Sequence, residues 1–148
     1  MLDFLLGLFS QAEHPTLLIN KIHPAGEMRD FQQPVQGNVQ LKVVKNCNLS
    51  PLMFHSDLVV GMRSIALLEA ALLGCPTISF QPGLIGEQRC TAVRLGLVPS
   101  ALDEKEFVQC YHQILNGGDH RYMDMPDQIM QFHRGSTNRI LDFIESKT

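Results

Sequence analysis

The chain alternates between short apolar runs of strand length and segments whose apolar residues recur at helical spacing. The first segment predicts a helix packed on a core, because its apolar residues fall on one helical face: Leu2, Leu5, Leu6 and Phe9. Strands are predicted at residues 16–22, 39–44, 58–60 and 77–80, with a brief fifth at 97–98. The run at 58–60 is too apolar for a solvated face, which favours a parallel sheet covered on both sides.

Helices are predicted between and after these strands. Residues 49–55 form a short one, with Ser50 as its candidate cap. Ser64 is well placed as the N-cap of a longer helix that Gly74 ends. Further helices are expected at 87–95, at 103–115 and in a tail over residues 125–148 that bends at Gly135. Strands alternating with helices predict an α/β fold, here a single Rossmann-like domain over residues 1–148 with a parallel sheet flanked by helices.

Composition narrows the classes of function. With 148 residues and 45% hydrophobic content, the chain can bury one hydrophobic core. Its net charge of −3 argues against non-specific electrostatic binding to nucleic acid. The apolar N-terminus is too short to span a bilayer and has neither the basic segment nor the cleavage site of a signal peptide. The four cysteines are widely spaced with no CxxC pair, and three of them lie among apolar residues, which favours buried thiols in a reducing compartment over a disulfide framework. We therefore expect a cytoplasmic protein with no integral membrane segment and no nucleic acid partner.

The segment from residue 56 to 80 carries the most chemistry, because it predicts strand, glycine turn, helix, glycine stop and strand. Such a unit presents backbone N–H groups at the carboxyl end of a parallel strand, where α/β proteins bind phosphates. Gly61 and Met62 supply the turn, Arg63 is a candidate for bidentate phosphate contacts, and Ser64 is a candidate hydroxyl donor. The alternatives are an ordinary turn glycine, a solvated arginine and an N-cap serine.

Three further polar residues are candidates. Glu69 lies in an otherwise apolar helix, where a carboxylate is costly without partners; the alternative is a structural carboxylate paired with an amide or an arginine. His23 follows a strand at the functional edge of such sheets, or simply ends that strand. Gln81 follows the 77–80 strand at the same edge and is a candidate lining residue. The histidines and cysteines lack metal-ligand spacing, and neither a metal nor a cofactor is predicted.

The pair His23-Pro24, taken with Gly61-Met62-Arg63-Ser64 and Glu69-Ala70, resembles the C-terminal domain of GT-B glycosyltransferases and of the related UDP-N-acetylglucosamine 2-epimerases. The resemblance covers about residues 1–115. It implies a domain that binds the nucleotide diphosphate part of a sugar donor, with Glu69 accepting from the two ribose hydroxyls and His23 bonded to a donor phosphate. The glycine-glycine turn common in the epimerases is Arg63-Ser64 here.

The resemblance further implies a glycosyltransferase of cell-surface polysaccharide biosynthesis that uses a UDP- or CDP-linked sugar, with His23 as its catalytic residue. Enzymes of this type have two domains with the active site between them, and this chain corresponds to one of the two. We therefore expect an acceptor-domain partner chain or a homo-oligomer, with peripheral attachment to the inner membrane through a partner as an option. The alternatives are half of a 2-epimerase-like enzyme and a non-catalytic, truncated homologue that binds a partner.

Overall fold

The computed structural model describes residues 1–23, 25, 37–117 and 134–146. The chain divides into two compact units, Met1–Leu49 and Ser50–Thr148. Each unit combines helical structure with a small parallel sheet, so the predicted α/β class with parallel strands is confirmed. The five strands in the described part of the chain form two sheets, one of two strands and one of three.

In the first unit the described residues, 1–23, 25 and 37–49, form one helix and two strands: α1 (Leu2–Ser10), β1 (Thr16–Lys21) and β2 (Val39–Val44). The predicted face of α1 is the buried one, with Leu5 and Phe9 in the core. The two strands run parallel, from Thr16 opposite Val39 to Lys21 opposite Val44.

Gly37 determines how the chain enters β2. Its φ is +63°, in the left-handed region, and a Cβ at this position would lie 2.6 Å from the carbonyl oxygen of Ser10. Both the conformation and the close approach to the end of α1 therefore require glycine.

The second unit contains five helices and three strands within its described residues: α2 (Leu49–Phe54), β3 (Val59–Gly61), α3 (Ile65–Leu72), β4 (Thr77–Phe80), α4 (Thr91–Arg94), β5 (Ser100–Ala101), α5 (Glu104–Leu115) and α6 (Ser136–Glu145). The sheet order is β3-β4-β5, and both pairs are parallel. All three strands therefore end at one edge, where the connections to α3, α4 and α5 begin.

The central strand β4 is buried along its whole length. Its last residue, Phe80, packs against Phe107 of α5, with ring centroids 5.0 Å apart and both side chains at most 1% exposed. A second apolar cluster joins α3 to the α4 region: Leu67, Ala71, Cys90, Ala92, Leu97 and Val98. These contacts hold helices against the sheet and fix the position of its carboxyl edge.

Three local predictions were wrong. Ser50 is not a cap, because α2 already begins at Leu49. The helix predicted at 87–95 is shortened to α4, because the Gln88 side chain accepts the Cys90 N–H at 2.9 Å and takes the place of a helical bond. The fifth strand lies at β5 rather than at 97–98, because the Leu97 N–H donates to the Ala92 carbonyl at 3.0 Å and belongs to the end of α4.

The C-terminal helix α6 is less buried than its apolar residues predict. Gly135, with φ +70°, directly precedes α6, and the segment on the other side of the predicted bend is outside the described residues. The apolar residues of α6, however, are exposed rather than part of a core, and Phe143 is 64% exposed. The predicted helical stretch over 125–133 lies outside the described residues.

Candidate functional site

The turn between β3 and α3 lies at the carboxyl edge of the three-stranded sheet. Gly61 is the last residue of β3, and a Cβ there would lie 3.0 Å from the Cδ2 atom of Leu67. The glycine thus lets the first turn of α3 pack closely on the end of the strand. Met62, Arg63 and Ser64 follow, and all three are exposed.

Ser64 is the N-cap of α3, as predicted. Its backbone is extended, its Oγ accepts the Ala66 N–H at 3.2 Å, and its carbonyl accepts the Leu67 N–H at 3.1 Å. Within the described part of the chain, no hydrogen bond engages the backbone N–H of Arg63 or Ile65. Unpaired N–H groups at the positive end of a helix are suited to bind an anion.

Glu69 lies on the exposed side of α3, one turn after Ile65 on the same face. The structural alternative required a buried carboxylate with partners. Among the described residues, however, the carboxylate of Glu69 has no hydrogen bond or ion pair, and the buried residues of α3 are others: Leu67, Ala70 and Ala71. Its carboxylate is therefore available to a ligand.

Gln81 does not line a cleft as the sequence predicted, because its side chain is buried. It is 2% exposed, and its Nε2 donates to Ser79 Oγ at 2.8 Å and to Gln88 Oε1 at 2.9 Å. Ser79 in turn donates to the carbonyl of Met62 at 2.7 Å. Gln81 thus lies beneath the sheet edge, two hydrogen bonds from the β3–α3 turn.

Sequence reasoning missed Ser79 and Gln88 as residues of this region. A signal for the first was present: Ser79 and Gln81 stand two positions apart in the apolar context of β4, so they share one face of a buried strand. Gln88 carried no such signal, because it lay within a segment predicted to be helical.

His23 lies in the first unit, whereas the other six candidate residues lie in the second. It follows β1 by two residues, and its side chain is exposed. Its Nδ1 accepts the backbone N–H of Ala25 at 3.2 Å. An accepting Nδ1 carries no proton, so in this arrangement Nε2 carries the ring proton and can donate it to an anion.

The thiols and metal-ligating side chains form no competing site. In residues 1–23, 25, 37–117 and 134–146, no group of three His, Cys, Asp or Glu residues could hold a metal ion. All four cysteines are free. Burial, with a smaller contribution from Asp57, raises the pKa of the Cys75 thiol, which also donates to the Ser56 carbonyl at 3.1 Å. A raised pKa keeps this thiol protonated and poorly nucleophilic at neutral pH.

Comparison with known protein families, with curated proteins and with solved structures found no match to this chain. None of the helices described here has the length and apolarity needed to cross a membrane. The functional interpretation therefore depends on the geometry of the β3–α3 turn.

Proposed function

We propose that the chain binds the nucleotide diphosphate part of a sugar donor and is the donor-binding part of a GT-B-like glycosyltransferase in cell-surface polysaccharide biosynthesis. The main support is the β3–α3 turn, where unpaired N–H groups and the exposed Arg63 meet the N-terminus of α3 at the edge of a parallel sheet. Diphosphate oxygens fit such a site, because backbone N–H groups, a guanidinium and the helix dipole all favour negative charge.

The spacing along α3 supports a nucleotide rather than a simple anion. Glu69 follows Ser64 by five residues, which is about 7.5 Å along a helix axis. This rise is comparable to the span between the diphosphate of a nucleotide and its ribose diol. An exposed carboxylate can accept hydrogen bonds from two neighbouring hydroxyls, so Glu69 is assigned to the ribose.

The proposed reaction is transfer of the sugar to an acceptor hydroxyl. The bond between the anomeric carbon and the diphosphate oxygen breaks, a bond to the acceptor oxygen forms, and the acceptor loses its proton to a base in a partner chain or further domain. Negative charge develops on the departing diphosphate, where Arg63, Ser64 and the N–H groups would stabilise it. His23 stays a prediction as the catalytic contact to a donor phosphate, with its Nε2–H as the donating group.

Isothermal titration calorimetry with UDP, CDP, GDP and ADP tests the proposal directly. We expect at least one of these nucleotides to bind with a Kd between about 1 μM and 1 mM. Absence of binding to all four would contradict the proposed function.

One observation supports a different class of function, a partner-binding module without catalysis. The large apolar side chains of α6 are exposed, with Phe143 at 64% and Ile140 at 60%. Exposed apolar clusters of this kind often belong to interaction surfaces. A chain that binds no nucleotide but forms a stable complex through α6 would favour this second function.

Substitutions at Ser64 separate its role as a cap from its role at the anion site. Ser64→Ala removes the cap, so we expect it to lower the free energy of unfolding by about 1 kcal/mol as well as to weaken nucleotide binding. Ser64→Asp preserves a good capping side chain but places a negative charge beside the diphosphate. We therefore expect near-normal stability and strongly reduced affinity, measured by urea unfolding and by calorimetry. Unchanged affinity in Ser64→Asp would show that the anion does not bind at this turn.

A further inference from the structure

A connected series of hydrogen bonds lies beneath the carboxyl edge of the sheet, between the start of α4 and the β3–α3 turn, and Gln88 Oε1 accepts two of them. The first donor of the series is the backbone N–H of Cys90, which lies 2.9 Å from Gln88 Oε1. The series continues through the amide of Gln81 and the hydroxyl of Ser79 and ends at the carbonyl of Met62. Gln88 is anchored at its other end, because its Nε2 donates to Ser100 Oγ at 3.1 Å.

The chemistry of the first donor fixes the direction of every later bond. A backbone N–H can only donate, so the Gln88 atom that faces Cys90 must be the oxygen. The Gln81 atom that faces this oxygen must then be the nitrogen, which also donates to Ser79 Oγ. Because the Ser79 oxygen accepts from Gln81, its single proton is directed to the Met62 carbonyl, 2.7 Å away.

The fixed orientation of the Gln81 side-chain amide also explains why its oxygen has no partner among the described residues. Gln81 Oε1 is buried and has no hydrogen-bond partner among the described residues. Rotating the amide would exchange its oxygen and nitrogen, but it would set Gln81 Oε1 against Gln88 Oε1, two acceptors 2.9 Å apart. Gln81 Oε1 is therefore unpaired because the bonds to Gln88 and Ser79 require the nitrogen of this amide on their side.

The last bond controls the orientation of one peptide in the candidate site. No described peptide is cis, so the N–H of Arg63 points opposite to the carbonyl of Met62 in the same planar unit. With the carbonyl turned towards Ser79, the Arg63 N–H is turned away from it. From this we infer that Ser79, Gln81 and Gln88 are positioning residues that hold the Met62–Arg63 peptide with its N–H directed to the anion site. The role towards an anion rests on the proposed function, whereas the peptide orientation does not.

Substitution of Ser79 by alanine tests this inference in the full chain. We expect the variant to shift the backbone amide resonance of Arg63 in a ¹H–¹⁵N spectrum and to weaken binding of UDP about three- to tenfold. Gln81→Met removes the donor to Ser79 but keeps the hydroxyl, so we expect changes in the same direction but smaller.

Thr77→Val is the matched control. Thr77 lies two residues before Ser79 on the same face of β4, and its hydroxyl bonds only locally to the Cys75 carbonyl at 2.8 Å. Loss of this hydroxyl should disturb the strand to a similar degree without altering the Arg63 amide or the affinity. Equal shifts at Arg63 in Ser79→Ala and Thr77→Val would overturn the inference, because they would indicate a general effect on the strand.

The two measurements separate failure of the inference from failure of the proposed function. An unchanged Arg63 amide in Ser79→Ala overturns the positioning role whether or not UDP binds. A shifted amide in a chain that binds none of the nucleotides supports the peptide orientation but overturns both the proposed function and the role towards an anion.

Discussion

Replacement of Glu69 by alanine is expected to weaken binding of UDP about 10- to 100-fold, because a carboxylate that accepts from two ribose hydroxyls makes two charge-assisted bonds. The side chain is exposed and has no partner in the described residues, so the free energy of unfolding should change by no more than about 0.5 kcal/mol. Calorimetric titration and urea unfolding of the same preparations check both halves of this prediction.

Whether Glu69→Ala weakens or tightens UDP binding distinguishes a ribose contact from a simple charge effect. If Glu69 did not contact the ligand, its removal would delete a negative charge near an anionic diphosphate and would tighten binding slightly. Glu104→Ala, which removes an exposed carboxylate from the first turn of α5, is the control for this charge effect. Tighter or unchanged UDP binding in Glu69→Ala would therefore exclude the ribose contact.

A second nucleotide localises the contact to the sugar. In the original chain, 2′-deoxy-UDP should bind more weakly than UDP, since it lacks one of the two hydroxyls. In Glu69→Ala the two nucleotides should bind almost equally, because the acceptor for that hydroxyl has been removed. A persistent preference for UDP in the variant would place the ribose elsewhere.

The largest effect on stability is expected from Phe107→Ala. The ring is fully buried on α5 and lies 5.0 Å from Phe80, so its removal leaves a cavity between α5 and the central strand. Loss of a buried phenylalanine typically costs about 3–5 kcal/mol, which is a large share of the stability of most domains. Urea unfolding, monitored by circular dichroism, should show an unfolding midpoint at a much lower urea concentration than that of the original chain.

Phe143→Ala provides the matched control, since it removes the same side chain from α6, where 64% of it is exposed. Its free energy of unfolding should stay within about 0.5 kcal/mol of the original value. A comparable loss of stability in both variants would mean that the Phe143 ring is buried in solution.

The sequence was most informative where local chemistry decides the structure. The spacing of apolar residues gave α1, and the strand over 77–80 was correct at both ends. Ser64 and Gly74 were correctly placed because capping and left-handed backbone depend on one or two residues. The helix predicted at 87–95 failed, because a side chain two residues from Cys90 took over the bond that would have extended it.

The candidate site was predictable in part for the same reason. The β3–α3 turn and the position of Glu69 on α3 follow from a strand, a cap and a helix that lie close together in sequence. The polar chain beneath the turn could not be derived, because Ser79, Gln88 and Ser100 come together only through the pairing of β4 with β5. Contacts between distant segments depend on that register, which a single sequence does not reveal.

The hydrogen bonds of Ser79, Gln81 and Gln88 beneath the β3–α3 turn limit which side chains can occupy these three positions during evolution. Exchange of Gln81 alone for an acceptor would oppose the Gln88 oxygen, and exchange of Gln88 alone would leave the Cys90 amide without its acceptor. A single exchange at Ser79, Gln81 or Gln88 for an apolar residue should therefore remove a bond from this series and leave a polar neighbour with one partner fewer.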